Sequence, residues 1–295
     1  MNLTMYFFSF AIGSAIGSFL NVCIYRLPRE MSVVTPPSHC PNCGQLLAWF
    51  DNVPILSYLL LGGRCRHCGV IISGRYALVE LLTGLVFAGA IWRFSGDGEF
   101  AGAQAAVAMV LAAALLAASF IDIERQIIPD EITLPGIIVG CIAGLAFPRI
   151  HEMVDPVLGS DPVLGAVARI MNPHLFGLIA SVFGAAVGAG FIYLAGLAGR
   201  LIFRKDAMGL GDAKLMALVG AFVGWRDVLL SIFIACLFGA VIGTAILIAR
   251  RRKDTRIPFG PYLSLGAVFV LFFKAQIIWA IVFWQNWISG LAAGA

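Results

Sequence analysis

Four cysteines and three acidic residues sit in sequence contexts that call for chemistry. Cys40 and Cys43 in "CPNC", with Cys65 and Cys68 in "CRHC", form two CxxC pairs with 21 residues between the inner members. Four thiolates from two such turns suit a tetrahedral Zn²⁺, and the spacing is close to that of a zinc ribbon. The competing readings are disulfides, which a reducing cytoplasm disfavours, and unpaired core thiols, which the polar flanks disfavour. Four cysteines fill the coordination sphere and leave no position for a water, so the expected zinc is structural. His39 and His67 adjoin the knuckles and are not needed as ligands. Glu80, Asp122 and Asp212 lie against long apolar runs, where a carboxylate is costly unless it is partnered or functional.

Asp122 follows "AMVLAAALLAASFI" and Asp212 follows "GLG". Each is expected at the cytoplasmic end of its span, Asp122 closing the third and Asp212 opening the sixth, which gives the two a common depth without placing them side by side. Paired aspartates share a proton, and such a dyad activates water against a peptide carbonyl. Helix dipoles assign the shared proton to Asp122, near a C-terminus, and the base to Asp212, near an N-terminus. Gly209 and Gly211 allow tight or left-handed turns and a close approach of substrate, while Asp212 caps the helix after them. The plainer reading of that stretch is an N-cap aspartate beside a flexible loop. Asp130 after Pro129 reads first as an ordinary helix cap. Lys214 either tunes Asp212 or, more simply, snorkels to the headgroups. Pro258 and Gly260 in "IPFGPY" offer an extended backbone edge for a substrate strand, although prolines also mark helix starts. Glu80 has two available roles, pairing with a basic group or with a neighbouring helix.

The elements that position these residues are membrane spans. Of 295 residues, 60% are hydrophobic and 12% charged, with a mean hydropathy of +0.94. Apolar runs long enough to cross a core of about 30 Å recur along the chain. The expected fold is an all-α polytopic membrane protein of about eight helices: Leu3–Tyr25, Tyr76–Phe94, Gln104–Ile121, Ile132–Phe147, Leu175–Gly199, a short one over Ala213–Gly224, Val228–Ala249 and Tyr262–Trp287. Residues 1–26 form the first span, read as a retained anchor. Residues 27–75 form a small zinc-ribbon-like cytoplasmic domain, and 76–295 a helical domain with an external loop at 148–173. That loop, with its "DPVLGSDPVLG" near-repeat, reads as a spacer. Cys23, Cys141 and Cys236 lie in apolar runs and read as packing residues.

Lysines and arginines fall unevenly between the two sets of loops. The set holding Arg26, Arg64, Arg125, Lys214 and the Arg250–Arg252 run is expected to face the cytoplasm, with both termini outward. The net charge of +4 is therefore topology, and no nucleic-acid partner is inferred.

The stretches "GSFLNVCIYRLP", "DNVPILSYLLLGGRCRHCG", "ISGRYALVELLTG", "IDIERQIIPD", "MGLGDAKLMALVGAFVGW" and "IPFGPYLSLGA", with both CxxC pairs, resemble the bacterial type IV prepilin peptidases of the GxGD aspartyl class. The resemblance implies that Asp122 and Asp212 are the catalytic pair. It also implies cleavage of prepilins or pseudopilins after the glycine of a short basic leader, at the cytoplasmic side of the bacterial inner membrane. The new N-terminus would then be methylated from S-adenosylmethionine, a donor for which no GxGxxG motif appears. Ala77 departs from the proline often found there. Two other function classes compete: an ion-coupled transporter using intramembrane carboxylates, and a zinc-bearing scaffold of a pilus or secretion assembly with no chemistry of its own.

Overall fold

The computed structural model describes residues 3–94, 96, 101–147, 171–204, 208–250 and 258–293. The chain runs up and down as α1 (Leu3–Arg26), the short α2 (Leu56–Leu60), α3 (Arg75–Phe94), α4 (Ala101–Arg125), α5 (Asp130–Ala146), α6 (Pro173–Phe203), α7 (Leu210–Val223), α8 (Trp225–Arg250) and α9 (Gly260–Ala293). No strand occurs among the described residues; the cysteine segment has two isolated bridges, His39 to Leu46 and Arg64 to Ile71. The expected external loop lies largely outside the described residues.

The eight expected spans correspond to α1 and α3 to α9. Six of these are long and apolar enough to cross a membrane, so the protein is a multi-pass membrane protein. The other two are shorter: α5 has 17 residues and α7 has 14, or about 26 and 21 Å at 1.5 Å per residue. Helix α7 tolerates its length because it is enclosed. Every residue from Leu215 to Val223 is buried, as expected of a helix apolar all round. Its walls include α6, where a Cβ on Gly184 would meet the Gly220 carbonyl oxygen at 2.2 Å. Small residues at such crossings let backbones approach where lipid gives no hydrophobic drive for association.

The main core is built from Leu111, Leu115, Ile192, Leu218, Leu263 and their neighbours, on α4, α6, α7 and α9. A smaller cluster of Leu20, Ile24, Val79, Ala117 and Ile121 joins α1, α3 and α4 near the end that carries the cysteine segment. Lys274, inside the last span, is accounted for by a buried ion pair: its Nζ lies 2.7 Å from Asp227 Oδ1 on α8. Cys23 and Cys141 are partly buried, whereas Cys236 is exposed on α8 and is not a core residue.

Candidate active site and cysteine cluster

Antiparallel succession brings the end of α4 and the starts of α5, α7 and α9 to one end of the bundle. Asp122 lies three residues before the end of α4 and is buried. That helix stops where Gln126 turns left-handed, at φ 56°, with its N–H bonded to the Asp122 carbonyl. The Asp122 side chain is fixed by α9: its Oδ2 accepts the backbone N–H of Gly260 at 3.0 Å. A Cβ at 260 would lie 2.6 Å from that oxygen, so only glycine leaves the carboxylate in place.

Asp212 is the third residue of α7, and its Oδ2 accepts the N–H of Gly209 at 3.2 Å. The expectation that Asp212 caps the helix from in front is corrected. Gly209 is the N-cap residue, and Asp212 reaches back from inside the first turn to satisfy its donor. Of the tight or left-handed turns expected at the two glycines, the left-handed form is not the one adopted. Gly209 is extended (φ −85°, ψ 156°), and Gly211 is helical. What Gly211 supplies is room, since a Cβ there would lie 3.2 Å from Ile128 Cβ. Ile128, which sequence reasoning did not single out, sits against both Gly211 and Gly260 in the loop between α4 and α5.

The Asp122 and Asp212 carboxylates lie within electrostatic range of each other. Lys214 does not simply snorkel. Its Nζ lies 2.7 and 2.8 Å from the two oxygens of Asp130, tying the start of α7 to the start of α5. Asp130 is the first residue of α5, with Pro129 rather than Asp130 in the N-cap position, and its carboxylate is engaged by Lys214; its charge still suits a helix N-terminus. Pro258 stands two residues before α9, on the approach to Gly260. A cavity of about 260 Å³ opens between α6 and α7, lined by Ile192, Tyr193, Leu197, Met208, Gly209 and Leu210. It shares Gly209 with the Asp212 hydrogen bond.

The cysteine segment joins the same end of the bundle. Cys40, Cys43, Cys65 and Cys68 bring their sulfurs within 4.8 Å of one another, a group able to hold a metal ion. The two knuckles are built alike. The N–H of Cys40 bonds to Gln45 O and that of Cys65 to Val70 O, and Gly44 and Gly69 both turn at φ 70°. Cys40 and Cys68 Sγ are 3.8 Å apart, close to the edge of a tetrahedron of sulfurs about 2.3 Å from a central zinc. The Cys68 thiol is drawn down to about 6 by the Val70 N–H and the Asn42 amide. Arg66 pairs with Asp51 at 2.7 Å, bracing the second knuckle against the preceding turn. A further pair, Arg75 with Glu124, ties the end of the segment to α4 two residues beyond Asp122. Nothing in the sequence signalled that pairing across 49 positions.

Residues 11–94 match the family described as Bacterial Peptidase A24 N-terminal domain, and residues 109–244 match the Type IV leader peptidase family. The chain is 40% identical over 249 residues to the prepilin leader peptidase/N-methyltransferase of Myxococcus xanthus, covering 84% of this chain and 65% of that protein. It is 34% identical to the protein of the same name from Pseudomonas aeruginosa, over 90% of this chain and 89% of the relative. The type 4 prepilin-like proteins leader peptide-processing enzyme of Escherichia coli is 36% identical over 89% and 92%. No solved structure matches.

Proposed function

The chain belongs to the type IV leader peptidase family, and from that premise we propose that Asp122 and Asp212 form the catalytic pair of a membrane aspartyl endopeptidase acting on type IV prepilins or pseudopilins. Cleavage follows a glycine, at the cytoplasmic face of the bacterial inner membrane. The observation that carries the site assignment is that two carboxylates 90 positions apart are held by backbone donors at one end of the bundle, within each other's field.

In this reading a water lies between the carboxylates. Asp212 takes a proton from it as the oxygen attacks the scissile carbonyl carbon, and Asp122 gives its proton to the carbonyl oxygen. Collapse of the tetrahedral intermediate breaks the C–N bond, and the departing amine takes a proton from the pair. The Gly260 N–H holds one oxygen of Asp122, which orients the other toward the reactants. Gly209, Gly211, Pro258 and Gly260 leave backbone close to the site, where a substrate strand can approach. The cavity beside Gly209 offers room for a substrate side chain. Lys214 and Asp130 hold α7 and α5 in register rather than entering the chemistry.

Zinc is the proposed occupant of the four-cysteine cluster, which suits its geometry and thiolate donors, and its role is to fold residues 27–75. The relatives' names also extend to N-methylation, for which S-adenosylmethionine is the proposed methyl donor. No observation favours the transporter reading, since both carboxylates sit at helix ends rather than at mid-span. Incubating the purified protein in detergent with a prepilin peptide, with and without S-adenosylmethionine, tests both activities. The expected masses are the leader-free peptide and, with the donor, that product plus one methyl group. An uncut peptide with a folded protein overturns the proposal.

A further inference from the structure

Glu80 and helix α2 take no part in the chemistry above, yet they fix where the cysteine segment stands. Glu80 lies five residues inside α3, about 7.5 Å from its start. It is buried, with α1 pressed against it: a Cβ on Gly17 would lie 2.7 Å from Glu80 Cα. Gly17 is itself well inside α1, nine residues before Arg26, so both helices set the carboxylate inward of their ends.

Its Oε2 accepts the N–H of Ile55 at 2.7 Å. Ile55, a residue of the mainly hydrophilic segment, is thereby held at that depth. Its backbone is at φ 63°, ψ −51°, and the N–H of Leu56 bonds to Pro54 O at 2.6 Å, closing a tight γ-turn. A β-branched residue keeps a positive φ only where its surroundings hold it there.

Helix α2 leaves this turn at once. Its inner side is tied down: Ser57 Oγ donates to Phe50 O at 2.8 Å, and the Tyr58 ring lies against Gly63. Its outer side carries Leu56, Leu59 and Leu60, exposed by 58, 66 and 86%. The 3₁₀ turn before it adds an exposed Trp49 packed edge-on against Phe50. Three leucines at this depth have no protein cover among the described residues, and the chain is anchored to spans α1 and α3 on either side. Tryptophan suits the headgroup boundary, and Arg64, exposed four residues beyond Leu60, is a cation available to lipid phosphate.

We propose that α2 is seated in the membrane leaflet, with Leu56, Leu59 and Leu60 against lipid, and that Glu80 is the positioning residue holding it at that depth through the Ile55 N–H. The partner is the lipid surface itself. The full-length, zinc-loaded protein in phosphatidylethanolamine and phosphatidylglycerol vesicles tests this. A spin label is attached through a genetically encoded ketone residue at position 60, and in a second sample at Gln45, on the exposed first knuckle. Collisions with oxygen, which concentrates in lipid, are compared with those of a water-soluble nickel chelate. The expected result is oxygen contact with loss of nickel contact at position 60, and the reverse at position 45. Glu80→Ala shifts the position-60 label toward water, whereas Glu80→Gln leaves it in lipid, because an amide oxygen still accepts the Ile55 N–H. Nickel contact at position 60 equal to that at 45 overturns the proposal. So does screening from both reagents, which would mean that protein covers α2. An unchanged label in Glu80→Ala removes Glu80 from the role, and if that variant fails to fold, loss of lipid contact in Glu80→Gln does the same. The measurement reads depth, so it stands apart from whether a prepilin is cut.

Discussion

At the scale of single residues, the site depends on backbone donors as much as on its carboxylates. Gly260 presents its N–H to Asp122 Oδ2, with no room for a methyl group between them. Gly260→Ala is therefore expected to displace the carboxylate and lower the cleavage rate by about 10²-fold, while thermal stability in detergent stays near that of the parent. A rate within a fewfold of the parent contradicts this. The Lys214–Asp130 pair is partly exposed on both sides and lies in the range where such pairs contribute less than about 1 kcal/mol. Lys214→Ala and Asp130→Asn should each slow cleavage only severalfold, and the double variant no more than either alone, as a double-mutant cycle would read. The types and spacing of Asp122, Asp212 and the four cysteines were legible in the sequence because carboxylates in apolar runs and paired CxxC turns have few other uses. Gly260's part was not, because a backbone donor carries no side-chain signature. Nor was the pairing of Lys214 with Asp130, which needs the relative rotation of two helices that the sequence leaves open.

At the scale of elements, apolar length located the helices, and packing set their extents. Helix α7 begins at Leu210 rather than Ala213 because Gly209 and Asp212 together complete its first turn. Helices α5 and α7 fall short of a full span, a difference that hydropathy does not register when neighbouring helices enclose the shorter ones. The buried Lys274–Asp227 pair fixes α9 against α8. Lys274→Met should cost about 3–5 kcal/mol, the usual penalty for breaking a buried ion pair. Unfolding in a mild denaturing detergent would measure it, and a change below about 1 kcal/mol would show that the pair does not hold the helices. The cysteine segment behaves differently, since its form rests on its two knuckles and on the zinc proposed to join them. Chelating zinc should raise amide exchange across residues 27–75 while α4 and α7 stay protected. Equal loss of protection in all three would mean that the segment and the bundle fold as one unit.

At the scale of the whole molecule, a multi-pass bundle gathers the ends of α4, α5, α7 and α9 around two carboxylates and joins the cysteine segment to the same end through the Arg75–Glu124 and Glu80–Ile55 contacts. The order of the motifs along the chain foretold that convergence only as a shared depth; lateral proximity came from the enclosed α7 and from α9 reaching Asp122. The central claim is that the two aspartates act as one peptidase site, and unitary sites lose activity non-additively. The most direct measurement is the rate of prepilin leader cleavage by purified Asp122→Asn, Asp212→Asn and the double variant, with folding checked by circular dichroism. The expected result is that each single change lowers the rate by roughly 10³-fold or more and that the double variant sits at the same floor. A folded single variant that still cuts the leader at a rate near the parent's would contradict the account.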